Sequence, residues 1–238
     1  MSYFKDFPLQ FYSFGDEGET ALVQNIATYV EILDDIKLNQ AFYQDYYIQG
    51  GERADQVAFM LYKNPHLHWT FYIMNDKIRE QGWPLGYEQV VEKTKTDYPN
   101  YVLTTQEPIH SVFNVGDTLT GSISNAVGVV KYKNLDLGQI HVEMSGVETF
   151  QQGELAVYGT DFVTISSSVQ GHLAVRYYLL EGERVDLDLT DMSVPTNAVP
   201  KTNLEFYLEE NDKLKQIRVI KPKSVNTVQK LFKEALRS

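Results

Sequence analysis

The chain has 238 residues and no cysteine, which excludes a disulfide framework, a thiolate metal site and a cysteine nucleophile. Its 43% hydrophobic and 22% charged content is ordinary for a globular protein, and the length suffices for one large domain or two small ones. The formal charge of −11 argues against general nucleic-acid binding. No window approaches the ~18 apolar residues of a membrane span and the N-terminus has no secretory pattern, so a protein kept in the cytoplasm, or in a particle assembled there, is expected.

In chain order, residues 1–41 read as an aromatic arm followed by a helix. Pro8, Gly15 and Gly18 punctuate Tyr3, Phe4, Phe7, Phe11, Tyr12 and Phe14, which have no helical spacing and need a surface to pack against. Leu22, Val23, Ile26, Ala27 and Val30 then share one face of a helix predicted over Thr20–Val30.

Residues 42–102 form the segment around which the chain is organised. Phe42 to Ile48 is aromatic and β-branched, as suits a short strand, and Gly50 and Gly51 break it. Ala54, Val57, Ala58, Leu61 and Tyr62 fall at helical spacing. Asn64 and Pro65 end that helix and start another, since Asn caps well and Pro at the first helical position gives up a donor that had no partner. The second helix, with Leu67, Trp69, Phe71, Tyr72, Ile73 and Met74, leaves little polar face and should be buried; Asn75 and Asp76 close it, and the chain returns through Gly82 and Trp83. A further helix is predicted from about Leu85 to Lys95, with Tyr87, Val90 and Val91 inward and Pro99 as its stop.

From 103 to 190 the chain is rich in Val, Thr, Ser and Gly in alternating patterns, with turns at Asn114 to Asp117, Asn134 to Gly138, Gln152 to Glu154 and Gly182-Glu183. This predicts an all-β region, a small barrel or a sandwich. Phe113-Asn-Val-Gly116-Asp117 and Phe150-Gln-Gln-Gly153-Glu154 repeat one Phe-x-x-Gly-acid pattern 37 positions apart. Residues 191–238 read as a Pro-containing linker, a charged turn over Glu209 to Asp212, a strand over Leu214 to Ile220 and a last helix capped by Ser224 with Val225, Val228, Leu231, Phe232 and Ala235 on one face. Lys213 to Ser238 holds eight basic residues against the single acid Glu234, leaving about −18 on the rest. Such a tail is expected to dock on an acidic neighbour or on its own body, and its deletion is expected to leave a folded body.

A strand, a glycine turn, two short helices split by Asn-Pro and a return at Gly82-Trp83 are the layout of a LysM module, the βααβ unit known for binding peptidoglycan and chitin. YYIQGG, LYKNPHLHW, IMND and GW together resemble the LysM-like segment of the baseplate wedge proteins of contractile-tailed bacteriophages. The final run ENDKLKQIRVIKPKSVNTVQKLFKEAL resembles the end of the same proteins. The resemblance implies a LysM-like βααβ module with flanking helices and a C-terminal strand plus helix; wedge proteins of the shorter kind lack so large a β segment, so the all-β region is read as an inserted domain and the whole as an α+β fold. It implies a structural, non-enzymatic subunit present in several copies, contacting other wedge proteins, the hub and the sheath initiator, with no nucleic acid, membrane or cofactor. The interface residues expected on this reading are Phe4, Phe7, Phe11, Tyr47, Tyr62, Asn64, Pro65, Trp69, Trp83, Lys215, Arg218, Lys221 and Phe232. The alternative is a peptidoglycan-binding LysM module of a cell-wall-acting protein.

The residues themselves point to no catalysis. His66 and His68 are two apart on a helix and diverge, where zinc pairs sit at i and i+4. Asp186, Asp188 and Asp191 start like a calcium loop, but its glycine position holds Asp191 and its final glutamate position Asn197. Gly-x-Ser-x-Gly, His-Glu-x-x-His and phosphate-loop patterns are missing.

Overall fold

The computed structural model describes residues 9–14, 19–24, 37, 39–187 and 193–235. The chain is mixed α and β and divides into two compact units. One is formed by Met1–Gly86 with Asn211–Ser238, the other by Tyr87–Glu210.

In the first unit, β1 (Leu9–Phe14) and β2 (Glu19–Gln24) form an antiparallel hairpin. The helix predicted from Thr20 is therefore corrected over its first turn; residues 25–30 lie outside the described set. Thr20 and Val23 suit a strand, and Gly15 and Gly18 fall between the two pairing stretches. Strand β3 (Tyr43–Tyr47) is followed by α1 (Ala54–Tyr62), whose Val57 and Ala58 are fully buried. Gln56 caps α1 by accepting from the Arg53 backbone, and Lys63 at φ +56° ends it. Asn64 accepts from the His66 N–H and opens a 3-10 turn at Pro65–Leu67 that leads into α2 (Trp69–Met74). Asn75, in extended backbone, separates α2 from α3 (Asp76–Gln81), a helix that the sequence pattern does not announce.

No strand follows Gly82 and Trp83. Trp83 instead donates from Nε1 to the Glu52 carbonyl at 2.6 Å and stacks near Phe71 at 5.7 Å. The antiparallel partner of β3 is β13 (Gln216–Ile220), which reaches it after the whole of Tyr87–Glu210 has intervened. Ile217 and Val219 pack with Val57, Ala58, Phe71 and Ile78. The last helix, α6 (Val225–Ala235), buries Val225, Val228 and Phe232 against Leu67, Trp69, Met74 and Ile220. Lys213–Ser238 is therefore not a removable tail: it supplies half of the sheet and one wall of the core. At the junctions, the Asn211 side chain exchanges two hydrogen bonds with the Leu85 backbone, at 2.7 and 3.0 Å.

The second unit starts with α4 (Tyr87–Asp97), which buries Val90 and Thr94 but leaves Tyr87 65% exposed, against the inward position predicted for it. Then β4 (Tyr101–Thr105), β5 (Thr118–Gly121), β6 (Val127–Asn134), β7 (Gln139–Met144), β8 (Leu155–Tyr158) and β9 (Asp161–Gln170) close into a barrel in the order β4-β7-β6-β5-β8-β9. Of the two forms expected for the all-β region, the barrel is the one found. Leu103, Leu119, Val130, Ile140, Val142 and Ile165 fill it, all fully buried. A three-stranded sheet follows, β11 (Glu183–Val185), β10 (Val175–Leu180) and β12 (Val199–Thr202) in that order. Part of the expected linker is thus a strand. Pro200 is tolerated because β12 is an edge strand, where a missing N–H leaves no ladder bond unmade. The charged turn expected at Glu209 to Asp212 is the end of α5 (Asn203–Lys213).

The repeated Phe-x-x-Gly-acid pattern is structural. Phe113 and Phe150 are both buried in the barrel, and Gly116 (φ +99°) and Gly153 (φ +87°) both turn the chain into a strand, β5 and β8 respectively. Their N–H groups donate to Val130 and Ile165 at 2.8 and 2.7 Å. Exchanging β5, β6 and β7 with β8, β9 and β4 reproduces the strand order, so the barrel has pseudo-two-fold topology.

Candidate interaction surfaces

Antiparallel pairing alternates residues whose backbone groups face the partner strand with residues whose groups face outward. Ile48 N donates to Lys215 O at 2.9 Å and Lys221 N to Phe42 O at 2.8 Å, so Tyr43, Asp45 and Tyr47 on β3 and Gln216, Arg218 and Ile220 on β13 point their backbone groups outward. The two edges are treated differently. On β13, the Asn75 amide accepts from Arg218 N at 2.7 Å and donates to Arg218 O at 2.8 Å, while Tyr62 Oη donates to Ile220 O at 3.0 Å. On β3, among the described residues, the outward groups of Tyr43 and Asp45 have no hydrogen-bond partner, and Tyr47 O is met only by Gln49 Nε2 at 3.5 Å. The Asn75 and Tyr62 side chains thus cap the β13 edge at Arg218 and at the Ile220 carbonyl, and the β3 edge has no comparable caps among the described residues.

The residues predicted to form an interface separate into three groups. Phe11 is 73% exposed on the hairpin and Tyr47 50% exposed on β3; Arg218 is exposed with its guanidinium 4.9 Å from the Tyr43 ring. Pro65 is exposed, whereas Tyr62, Asn64, Trp83, Lys215 and Lys221 are half-buried and held by internal bonds: Lys215 to Asp212 at 2.7 Å, Lys221 to Gln40 O at 2.8 Å. Trp69 and Phe232 are buried, with ring centroids 4.9 Å apart, and anchor α6 to the module. Phe4 and Phe7 lie outside the described residues.

Sequence reasoning missed Leu9 and Leu22. Opposite Leu22 sits Phe11, so Leu9, Phe11 and Leu22 share one face of the hairpin and are 62%, 73% and 54% exposed. Reading β2 as helix hid that face. A shallow depression of about 410 Å³ lies beside exposed Phe59 and Met60 and is rimmed by Glu52 and Asp55.

Charge is divided between the units. Tyr87–Glu210 contains seven Lys and Arg against eighteen Asp and Glu, so the whole formal charge of −11 resides there and the other unit is balanced. The basic C-terminal segment is offset by the acids of its own unit. Inside the barrel unit, Glu154 is 1% exposed and accepts from Ile123 N, Ser124 N, Ser124 Oγ and Gln151 N at 2.6–2.8 Å. Burial pushes its pKa up, but these donors outweigh burial and hold the carboxyl below its ordinary value.

The histidines are dispersed, and among the described residues no three His, Asp or Glu are grouped as metal ligands. His66 and His68 are exposed; His141 and His172 are set singly in the barrel unit, where burial pushes both pKa values down. Asp188 and Asp191 lie outside the described residues. No described helix is long and apolar enough to cross a membrane.

Partly uncapped strand edges and exposed aromatic or aliphatic strand residues are features that partner proteins commonly cover. The chain matches the family model described as base plate wedge protein 53 over residues 17–143, more than half of its length, and belongs to that family. It is a structural protein of the bacteriophage tail baseplate, and its place is in the virion with other baseplate components. No curated protein matches the chain.

Proposed function

We propose that the chain joins baseplate wedge subunits to one another and to the hub and sheath-initiator region through protein–protein contacts, in several copies per particle, after assembly in the host cytoplasm. Membership of the wedge family across residues 17–143 carries this reading. The exposed anchors Phe11, Tyr47 and Arg218 support it, since Trp, Tyr and Arg lead at interfaces and exposed aromatics favour a partner over solvent. We describe the segment from β3 through α3, completed by β13, as a LysM-like module whose second strand has been displaced by the barrel insertion. It serves as a rigid frame for contacts and has no catalytic role.

Tagged full-length protein captured from a lysate of producing cells is expected to bring down wedge, hub and sheath proteins in fixed ratio by mass spectrometry. Recovery of the chain alone, together with binding to added peptidoglycan, overturns the reading in favour of a saccharide-binding module.

A further inference from the structure

We propose that the second unit binds a neutral saccharide in the cleft that the barrel shares with β10. The inference goes beyond the assembly role above and does not depend on it.

The cleft has a volume of about 650 Å³, within the range of small-molecule sites. Thr104 lines it from β4, Ser167 from β9 and Tyr178 from β10. Its walls are held in place from inside the unit. Gln139, 3% exposed, donates from Nε2 to the Val175 carbonyl at 2.8 Å and so ties β7 to the start of β10, while Tyr178 packs on Leu137 and Leu187.

Several polar groups of the cleft have nothing to bond. The hydroxyls of Thr104, Ser167 and Tyr178, all half-buried residues, and the amide of Gln106 make no hydrogen bond among the described residues. Their neighbours do: Ser166 donates to Thr104 O and Thr105 to Glu107 O, each at 2.8 Å. Burial pushes the Tyr178 pKa up, and no hydrogen bond acts beside it. Half-buried polar groups without partners cost free energy that a ligand bonding them recovers.

Charge selects the ligand class. Tyr87–Glu210 holds eighteen Asp and Glu and seven Lys and Arg, yet none of them lines the cleft. An anion there would meet no cation and a cation no carboxylate, and an ion removed from water without a partner is costly. Hydroxyls and an amide donate and accept alike, which matches a ligand built of hydroxyl groups. The Tyr178 ring supplies an apolar body for the C–H face of a sugar, beside a polar tip.

Saturation-transfer difference NMR on the full chain, with maltotriose, chitotriose and lactose at millimolar concentration, tests this. At least one of the three is expected to give a signal, and gluconate, an anionic relative of glucose, none. Ser167→Tyr fills the cleft and is expected to abolish the signal. Tyr178→Phe and Thr104→Val each remove one hydroxyl and are expected to weaken binding roughly three- to tenfold, and they carry the test if Ser167→Tyr does not fold by circular dichroism. Retention on amylose or chitin beads identifies the interior units of a polymer as the ligand, and binding of the free trisaccharide alone identifies a sugar end; either result upholds the site. Silence from all three sugars overturns the proposal, as does gluconate binding equal to theirs. A signal that survives the folded variants also overturns it, because the sugar is then held elsewhere on the chain.

Discussion

Asp117 and Glu154 hold the same turn at two places in the barrel: each carboxylate accepts the backbone N–H of the residue three before it, Asn114 or Gln151, at 2.6 Å. The two have diverged in what else they do. Asp117 holds its own turn, whereas Glu154 also gathers Ile123 and Ser124 from the β5–β6 connection. Gly121 must lack a side chain for this, since a Cβ there would stand 2.7 and 2.8 Å from the Glu154 oxygens.

Removing the Glu154 carboxylate should therefore cost far more than removing that of Asp117. Glu154→Ala strands three part-buried N–H groups and is expected to lower stability by about 3 kcal/mol, against about 1 kcal/mol for Asp117→Asn. Because the folded pKa of Glu154 is depressed, its contribution is present above the ordinary carboxylate pKa and lost as pH falls through the lowered folded value. Urea unfolding followed by tyrosine fluorescence at neutral and acid pH should show a smaller acid destabilisation in Glu154→Gln than in wild type.

Lys133 is an internal fastening of the loop before β5. Its ammonium meets the carbonyls of Phe113, Ile109 and Val112 at 2.9, 3.0 and 3.1 Å. Lys133→Met keeps the stem and removes the donor, leaving those carbonyls unsatisfied, and is expected to cost about 2 kcal/mol in a urea titration.

The β13 edge offers a paired test. Asn75→Ala should destabilise the first unit by about 2 kcal/mol, since it opens both Arg218 backbone groups, and Tyr62→Phe by about 1 kcal/mol through Ile220 O. Burial pushes the Tyr62 hydroxyl up from 10.0 to about 12. Its neutral form thus favours the fold below the unfolded pKa, and the benefit is lost as pH rises from about 10 towards about 12. Ultraviolet phenol titration should show two late-titrating groups, Tyr62 and Tyr207, the latter also pushed up to about 12 by burial and by its bond to Asp97, and Tyr62→Phe should remove one of them.

Phe232→Ala should cost about 4 kcal/mol, because the ring fills a site against Trp69 in a core that cannot collapse freely. Deleting Lys213–Ser238 should unfold the first unit, since β3 then loses its only strand partner among the described residues. Circular dichroism and a thermal melt read both effects, and a truncated chain with an unchanged melt would refute the assignment of β13 and α6 to the core.

The local signals in the sequence were sufficient for much of the fold. The stripe Ala54–Tyr62, the Asn64-Pro65 break, the strand before Gly50 and the turns at Gly116, Gly138, Gly153 and Gly182 are short-range patterns of periodicity and backbone freedom, and each stands where they put it. The structure decided whatever depends on distant chain. The alternation over Leu214 to Ile220 names a strand but not its partner, and β3 pairs with residues some 170 positions away. Aromatic residues announce burial or contact alike, so only packing could send Trp69 and Phe232 inward and leave Phe11 and Tyr47 in solvent. Asn75 reads locally as a helix end; that its amide also seals the β13 edge follows from bringing α2, α3 and β13 together, and no pattern within a few residues of it encodes that.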